Sequence, residues 1–341
     1  MALSKSVAAR SAIFVTVAVL LVASGCSKSP TAPTPPPPPP PPVVADPPTV
    51  ACVEGIARAT TNADGLAINY DTPSTSNGQG SVTVSCSPPP GQMFPIGTTA
   101  VSCTATDILN RTATCSFNVT VSKLPTLSKT RYLAYGDSIT AGEVTFPVSS
   151  LITGQGNITR QVVVPSAAYP TVLLNTLRGR YASQASAMEV FNYGLGGEKV
   201  INSRNRFFSA LTATRPDVLL LMEGANDIPA GEDGAASTAA QEIRIWVAEA
   251  KARGIRVFLA TPTPGRPGGN RTINPVLLID YSNRMKRVAE QEGVPIVDIY
   301  TLMLPDVQRY IGVDGLHPNE LGYARLADLF FQVIQGALEV R

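Results

Sequence analysis

RYLAYGDSIT, residues 131–140, decides the fold of the larger part of this chain. It starts as a short apolar run and changes character after Gly136, where Asp137-Ser138-Ile139-Thr140 follows. Four more apolar runs come later: MEVFNYG (188–194), DVLLLMEGAND (217–227), IRVFLATPTP (255–264) and VPIVDIY (294–300). Helical segments with readable punctuation lie between them. One, from Ser237 to Arg253, stops at Gly254; another has Asn274 as its cap, Pro275 in its first turn and Gly293 at its end. Apolar strands alternating with helices make a parallel sheet covered on both faces. Residues 130–341 suffice for one such core. Sheets of this kind hold ligands outside the carboxyl ends of their strands, where Ser138 falls. Gly136 permits the sharp exit from the strand. A GxSxG elbow is absent, and the serine comes early in its domain, which tells against an α/β-hydrolase.

The chain has a single histidine, His317, in GVDGLHPNELGYARLAD (312–328), three residues after Asp314. A DxxH spacing arises often by chance, and alone it favours a histidine satisfied in a turn. The other strand ends change that balance. Gly136-Asp137-Ser138, Asn192-Tyr193-Gly194-Leu195-Gly196-Gly197, Gly224-Ala225-Asn226-Asp227 and Asp314-Gly315-Leu316-His317-Pro318-Asn319 occur in that order. In these four blocks the sequence resembles the SGNH or GDSL hydrolases, over roughly residues 130–338. The resemblance implies a flavodoxin-like three-layer α/β/α domain with a parallel sheet. It implies Ser138 as nucleophile, His317 as base and Asp314 as the acid that orients it. It also implies an oxyanion hole from the N–H groups of Ser138 and Gly197 and the amide of Asn226. Chemically, His317 would take the Ser138 proton as the ester is attacked and return it to the leaving alcohol.

Blander roles are open to some of these residues. Asn226 and Asp227 can cap a helix, and Gly196-Gly197 can be only a turn. Asp137 is expected to hold the serine loop by hydrogen bonding rather than to react. Glu223 and Glu232 are expected to be structural or solvated rather than a glycosidase pair. Compact members of the family place a helix soon after the serine. Here Glu143–Ser166 intervenes before the helix entered at Tyr169-Pro170, so a loop or hairpin beside the site is expected.

The N-terminal half differs in kind. Residues 49–122 are rich in Thr, Ser and Val, in short alternating runs separated by turn clusters, which argues a small antiparallel β sandwich. VSCSPPPGQMFPIGTTAVSCTATDILNRTATCSFNVTV (84–121) resembles the hyalin repeat, or HYR, module, which implies an immunoglobulin-like sandwich with an adhesive or spacer role. Cys52, Cys86, Cys103 and Cys115 cluster there and read as two disulfides rather than a zinc site. Three connectivities are open; Cys52 with Cys115 and Cys86 with Cys103 are the expected pairs, each on neighbouring strands.

Before the sandwich, Lys5 and Arg10 precede the run Ala12–Ala23, apolar except for Thr16 and at about 18 Å too short to span a bilayer. Residues 1–25 are expected to be a cleaved export signal, and Ala23-Ser24-Gly25-Cys26 resembles the bacterial lipobox, with Cys26 lipidated. By resemblance to lipoprotein sorting rules, Ser27 favours the outer membrane. Residues 26–48, with eight consecutive prolines at Pro35–Pro42, read as an extended stalk, and 123–129 as a linker.

The net charge is only +2 with 15% charged residues, so no basic stripe suits nucleic acid. These readings combine into a surface-anchored bacterial serine ester hydrolase that needs neither metal nor cofactor. Its expected substrates are acyl or acetyl esters of carbohydrate or lipid. Its membrane contact is the N-terminal lipid, and a surface polymer or protein is the expected partner of the HYR-like module. An acyltransferase or thioesterase on the same residues, or a non-catalytic adhesion protein, are the alternatives.

Overall fold

Val218–Met222 is buried at every position, because both faces of its strand are covered. The computed structural model containing it describes residues 43–147, 159–228 and 234–340. The expected export signal, Cys26, the proline run, Glu232 and part of the 143–166 segment lie outside the described residues. The chain divides into two compact units, Met1–Ala45 and Asp46–Arg341, and of the first only Val43–Ala45 are described.

The N-terminal strands are β1 (Thr49–Ala51), β2 (Ile56–Thr60), β3 (Leu66–Ala67), β4 (Ser74–Ser76), β5 (Thr83–Ser87), β6 (Met93–Phe94), β7 (Gly97–Thr106) and β8 (Thr112–Lys123). A four-stranded sheet runs in the order β2-β8-β7-β5, and β1·β4 and β3·β6 form two-stranded ribbons. Alternate residues point inward, so Val101, Cys103, Phe117, Val119 and Val121 meet Ile68 and Phe94 in the core. The expected antiparallel pairing needs one correction: β2 runs parallel to β8. These two strands are far apart in sequence, so no hairpin forces them to be antiparallel. The disulfides are Cys52–Cys115 and Cys86–Cys103, the expected pairs.

β9 (Thr126–Leu127) follows, and then the five apolar runs become strands: β10 (Arg131–Gly136), β13 (Glu189–Gly194), β14 (Val218–Met222), β15 (Arg256–Ala260) and β16 (Ile296–Val297). They form one parallel sheet in the order β13-β10-β14-β15-β16. Counted along this part of the chain the order is 2-1-3-4-5, the flavodoxin-like arrangement. The helices are α1 (Ser138–Ala141), α2 (Tyr169–Arg180), α3 (Arg204–Thr214), α4 (Ala235–Ala252), α5 (Pro275–Glu292), α6 (Ile299–Met303), α7 (Val307–Tyr310) and α8 (Glu320–Leu338). On one face, Leu133, Leu219, Leu221 and Leu259 pack on α3, α4 and α5 through Phe207, Trp246 and Met285. On the other, Ala134, Leu220 and Phe258 pack on α2 and α8 through Leu173, Leu326 and Phe330. Phe207 stacks on Trp246 at 4.6 Å on the first face, and Tyr169 on Phe330 at 5.0 Å on the second.

The punctuation works as expected. Asn274 accepts the Val276 N–H at 2.9 Å to cap α5, and Gly293 ends it at φ +63°. Within the 143–166 segment, β11 (Glu143–Pro147) pairs antiparallel with β12 (Thr159–Val163). β17 (Glu339–Val340) closes the chain against β9.

Candidate active site

Strand register brings the separated blocks to one place. Gly136, the last residue of β10, lies opposite Gly194 of β13 on one side and Met222 of β14 on the other. Ser138, Gly197 and Asn226 lie two, three and four residues beyond Gly136, Gly194 and Met222, so loops from three adjacent strands meet at one end of the sheet. Order 2-1-3 also makes this the topological switch point, where open α/β sheets leave a crevice.

Close approach there depends on two glycines. A Cβ on Gly136 would lie 2.1 Å from Thr140 Oγ1 and 2.2 Å from the Met222 carbonyl oxygen. One on Gly194 would lie 2.0 Å from the Ala141 nitrogen. No side chain fits at either position, so α1 rests directly on the strand ends. Asp137 caps α1, its Oδ1 accepting the Ile139 N–H at 2.9 Å, as the sequence suggested. Burial pushes the Asp137 carboxyl up to about 6. Its acidic neighbours shift the same way: burial raises Asp227, and burial with the nearby Asp137 charge raises Glu223 well above the usual carboxylate range. Glu223 itself is buried, at 4% exposure.

The loop before α8 delivers the acid and the base. His317 Nε2 is 2.9 Å from Ser138 Oγ, and His317 Nδ1 is 2.6 Å from Asp314 Oδ2. All three side chains are buried, Ser138 at 3% exposure and the other two at 0%. Asp314 Oδ1 also accepts the N–H groups of Leu316 and His317 at 3.1 Å. Burial pushes the Asp314 carboxyl up, but the hydrogen bond and charge of His317, with those two N–H donors, hold it below its ordinary value. Residues 266–271 brace the loop: Arg271 N donates to the Asp314 carbonyl at 2.8 Å and Arg266 N to Gly315 at 2.9 Å. Asn319 caps α8 through the Gly322 N–H at 2.9 Å.

The second and third blocks are tied together rather than capping a helix. Asn226 Nδ2 donates to the Glu198 carbonyl at 2.9 Å, and Asp227 Oδ2 accepts the Val200 N–H at 3.0 Å. Gly197 has φ +74° with open space where a Cβ would be, so its turn is exposed to an incoming ligand. Two features were not legible in the sequence. Arg206 pairs with Glu198, donates to the Tyr193 carbonyl at 3.0 Å and lies 4.2 Å over the Tyr135 ring, bracing β10 against β13. Glu143 Oε2 stands 3.7 Å from His317 Nε2, and its only sequence signal is a place just after the helix-ending Gly142. Among the described residues no group of three or more His, Cys, Asp or Glu side chains is placed to hold a metal ion.

A polar nucleophile, a buried base and an orienting carboxylate in line are equipped for proton transfer from the serine hydroxyl. The HYR domain model matches residues 44–121. An acetylxylan esterase of Xylanibacter ruminicola is 27% identical over an alignment of 173 positions that covers 43% of this chain. The match spans only 35% of that relative's length. Among solved structures, a lipase/acylhydrolase from Enterococcus faecalis is similar at a TM-score of 0.47 and 21% identity, over 61% of this chain and 97% of the other. Axe2, an acetylxylan esterase from Geobacillus stearothermophilus, is similar at a TM-score of 0.46 and 21% identity, over 61% and 94%. The model of the GDSL-like lipase/acylhydrolase family matches residues 134–325, more than half of the chain, and the chain belongs to that family.

Proposed function

We propose that this protein is a serine hydrolase of carboxylic esters working through an acyl-enzyme, with acetylated carbohydrate as its leading substrate class. The observation that carries the reading is the chain of contacts from Ser138 Oγ through His317 to Asp314, at 2.9 and 2.6 Å. His317 Nε2 takes the hydroxyl proton as Ser138 Oγ attacks the carbonyl carbon. Asp314 holds the other ring nitrogen and favours the imidazolium that forms. The oxyanion meets the N–H groups of Ser138 and Gly197 and the Asn226 amide, whose other N–H is committed to Glu198. Collapse expels the alcohol, which leaves with the proton from His317. Water then gives a proton to His317 and attacks the acyl carbon; collapse frees the carboxylic acid and returns the proton to Ser138.

Acetylated sugar is favoured by the acetylxylan esterase relative, which is 27% identical over the matched segment. The setting we propose is the bacterial cell envelope, with export through residues 1–25 and outer-membrane attachment by a lipid on Cys26. The two disulfides of the sandwich suit an oxidising compartment.

The test is a panel of nitrophenyl esters of increasing acyl length and of acetylated xylan, run on wild type and Ser138→Ala. Turnover by wild type, its loss in the variant, and fluorophosphonate labelling of Ser138 by mass spectrometry are expected. No acetate release, no nitrophenol and no labelling would remove the esterase reading.

A further inference from the structure

The mechanism above leaves one carboxylate at the reacting face of His317 unused. Glu143 Oε2 is 3.7 Å from Nε2, the nitrogen that meets Ser138, while Asp314 holds Nδ1 on the far side of the ring. That separation is too long for a hydrogen bond, so the ring stays engaged with Ser138. The Glu143 side chain is 16% exposed. Its other oxygen packs against the second block: a Cβ on Gly196 would lie 2.2 Å from Glu143 Oε1. The carboxylate therefore spans the space between the base and the loop that carries Gly197.

Its root is held. Gly142, at φ +91°, turns the chain out of α1, and Glu143 opens β11 opposite Val163 of β12. Tyr323 of α8 donates its hydroxyl to the Glu143 carbonyl at 2.6 Å. A carboxylate fixed beside the serine and partly withdrawn from water acts on any charge brought next to the reacting carbonyl, because charges interact more strongly there than in bulk solvent.

We infer that Glu143 sets the charge selectivity of this site: it admits esters that are uncharged around the scissile carbonyl and rejects those carrying a carboxylate there. Hydroxyl groups beside the ester are compatible with it, since a carboxylate accepts their hydrogen bonds. The inference rests on the ester-hydrolase reading and narrows its substrates to neutral ones.

The experiment compares 4-nitrophenyl butyrate with 4-nitrophenyl hemisuccinate, alike in length and differing in charge. Wild type, Glu143→Gln and Glu143→Lys are assayed as the full chain, each normalised to active sites titrated with a fluorophosphonate. The hemisuccinate-to-butyrate ratio of kcat/KM is expected to rise about tenfold or more in Glu143→Gln and further in Glu143→Lys. Raising the salt concentration should shrink the gain. Ratios within about twofold of wild type in both variants would overturn the inference while leaving the hydrolase reading standing. Wild type inert towards both esters and unlabelled by the fluorophosphonate would overturn that reading, and the inference with it.

Discussion

The Asn226 side-chain amide donates to the main-chain carbonyl of Glu198 at 2.9 Å, fastening the loop after β14 to the loop after β13. One of its two N–H bonds is thereby committed and the amide plane is set. Asn226→Ala is expected to lower kcat about 10²- to 10³-fold, as loss of one oxyanion donor does elsewhere. Steady-state kinetics on a short acyl ester measures it; an unchanged kcat would remove Asn226 from the oxyanion hole.

Ser138→Ala and His317→Ala are each expected to lower turnover roughly 10⁴- to 10⁶-fold. Their stabilities should differ. His317→Ala leaves the fully buried Asp314 carboxylate with only the Leu316 and residue-317 N–H donors, a loss of about 1–3 kcal/mol. The alanine at 138 removes one hydroxyl and should unfold near the wild-type midpoint. Urea denaturation of the two variants separates them.

Arg206→Ala should destabilise the α/β part without touching the reacting groups. Glu198 is 8% exposed and would lose its ion pair, at a cost of about 3 kcal/mol. Calorimetry would show the drop, and Arg206→Ala with Glu198→Gln should recover part of it by removing the stranded charge.

Burial raises the Asp137 carboxyl to about 6, so the folded protein holds this proton to higher pH than the unfolded chain does. Stability from this group is therefore full below about pH 4 and falls as pH rises towards 6, by up to about 3 kcal/mol. Asp137→Asn keeps a capping oxygen and cannot ionise, so its unfolding free energy should fall less than that of wild type between pH 4 and 6. Parallel pH profiles would show that Asp137 does not carry the dependence.

The disulfide loops differ in length, with sequence separations of 63 for Cys52–Cys115 and 17 for Cys86–Cys103. On chain entropy, replacing the first pair by serine should cost about 4 kcal/mol and the second about 3. Chemical denaturation of the two double-serine variants tests the order.

Much of the site is legible in the sequence. Gly136-Asp137-Ser138 sits at a strand end, and the caps at Asn274 and Asn319 follow from side chains that accept local N–H groups. Such signals act over a few residues. The disulfide pairing was legible only as a choice among three, because Cys103 stands opposite Cys86 on one strand and opposite Cys115 on another.

The sequence by itself determined the two kinds of domain, the alternation that makes a doubly covered parallel sheet, and the residues able to act as nucleophile, base and acid. Periodicity and residue chemistry are local properties and can be read along a chain. Only the tertiary structure decided that β2 runs parallel to β8, that Arg206 braces Glu198, and that Glu143 faces His317. Each of these depends on how a turn or a strand register carries a side chain to a partner distant in sequence, Glu143 and His317 above all. That is set by packing of the whole core.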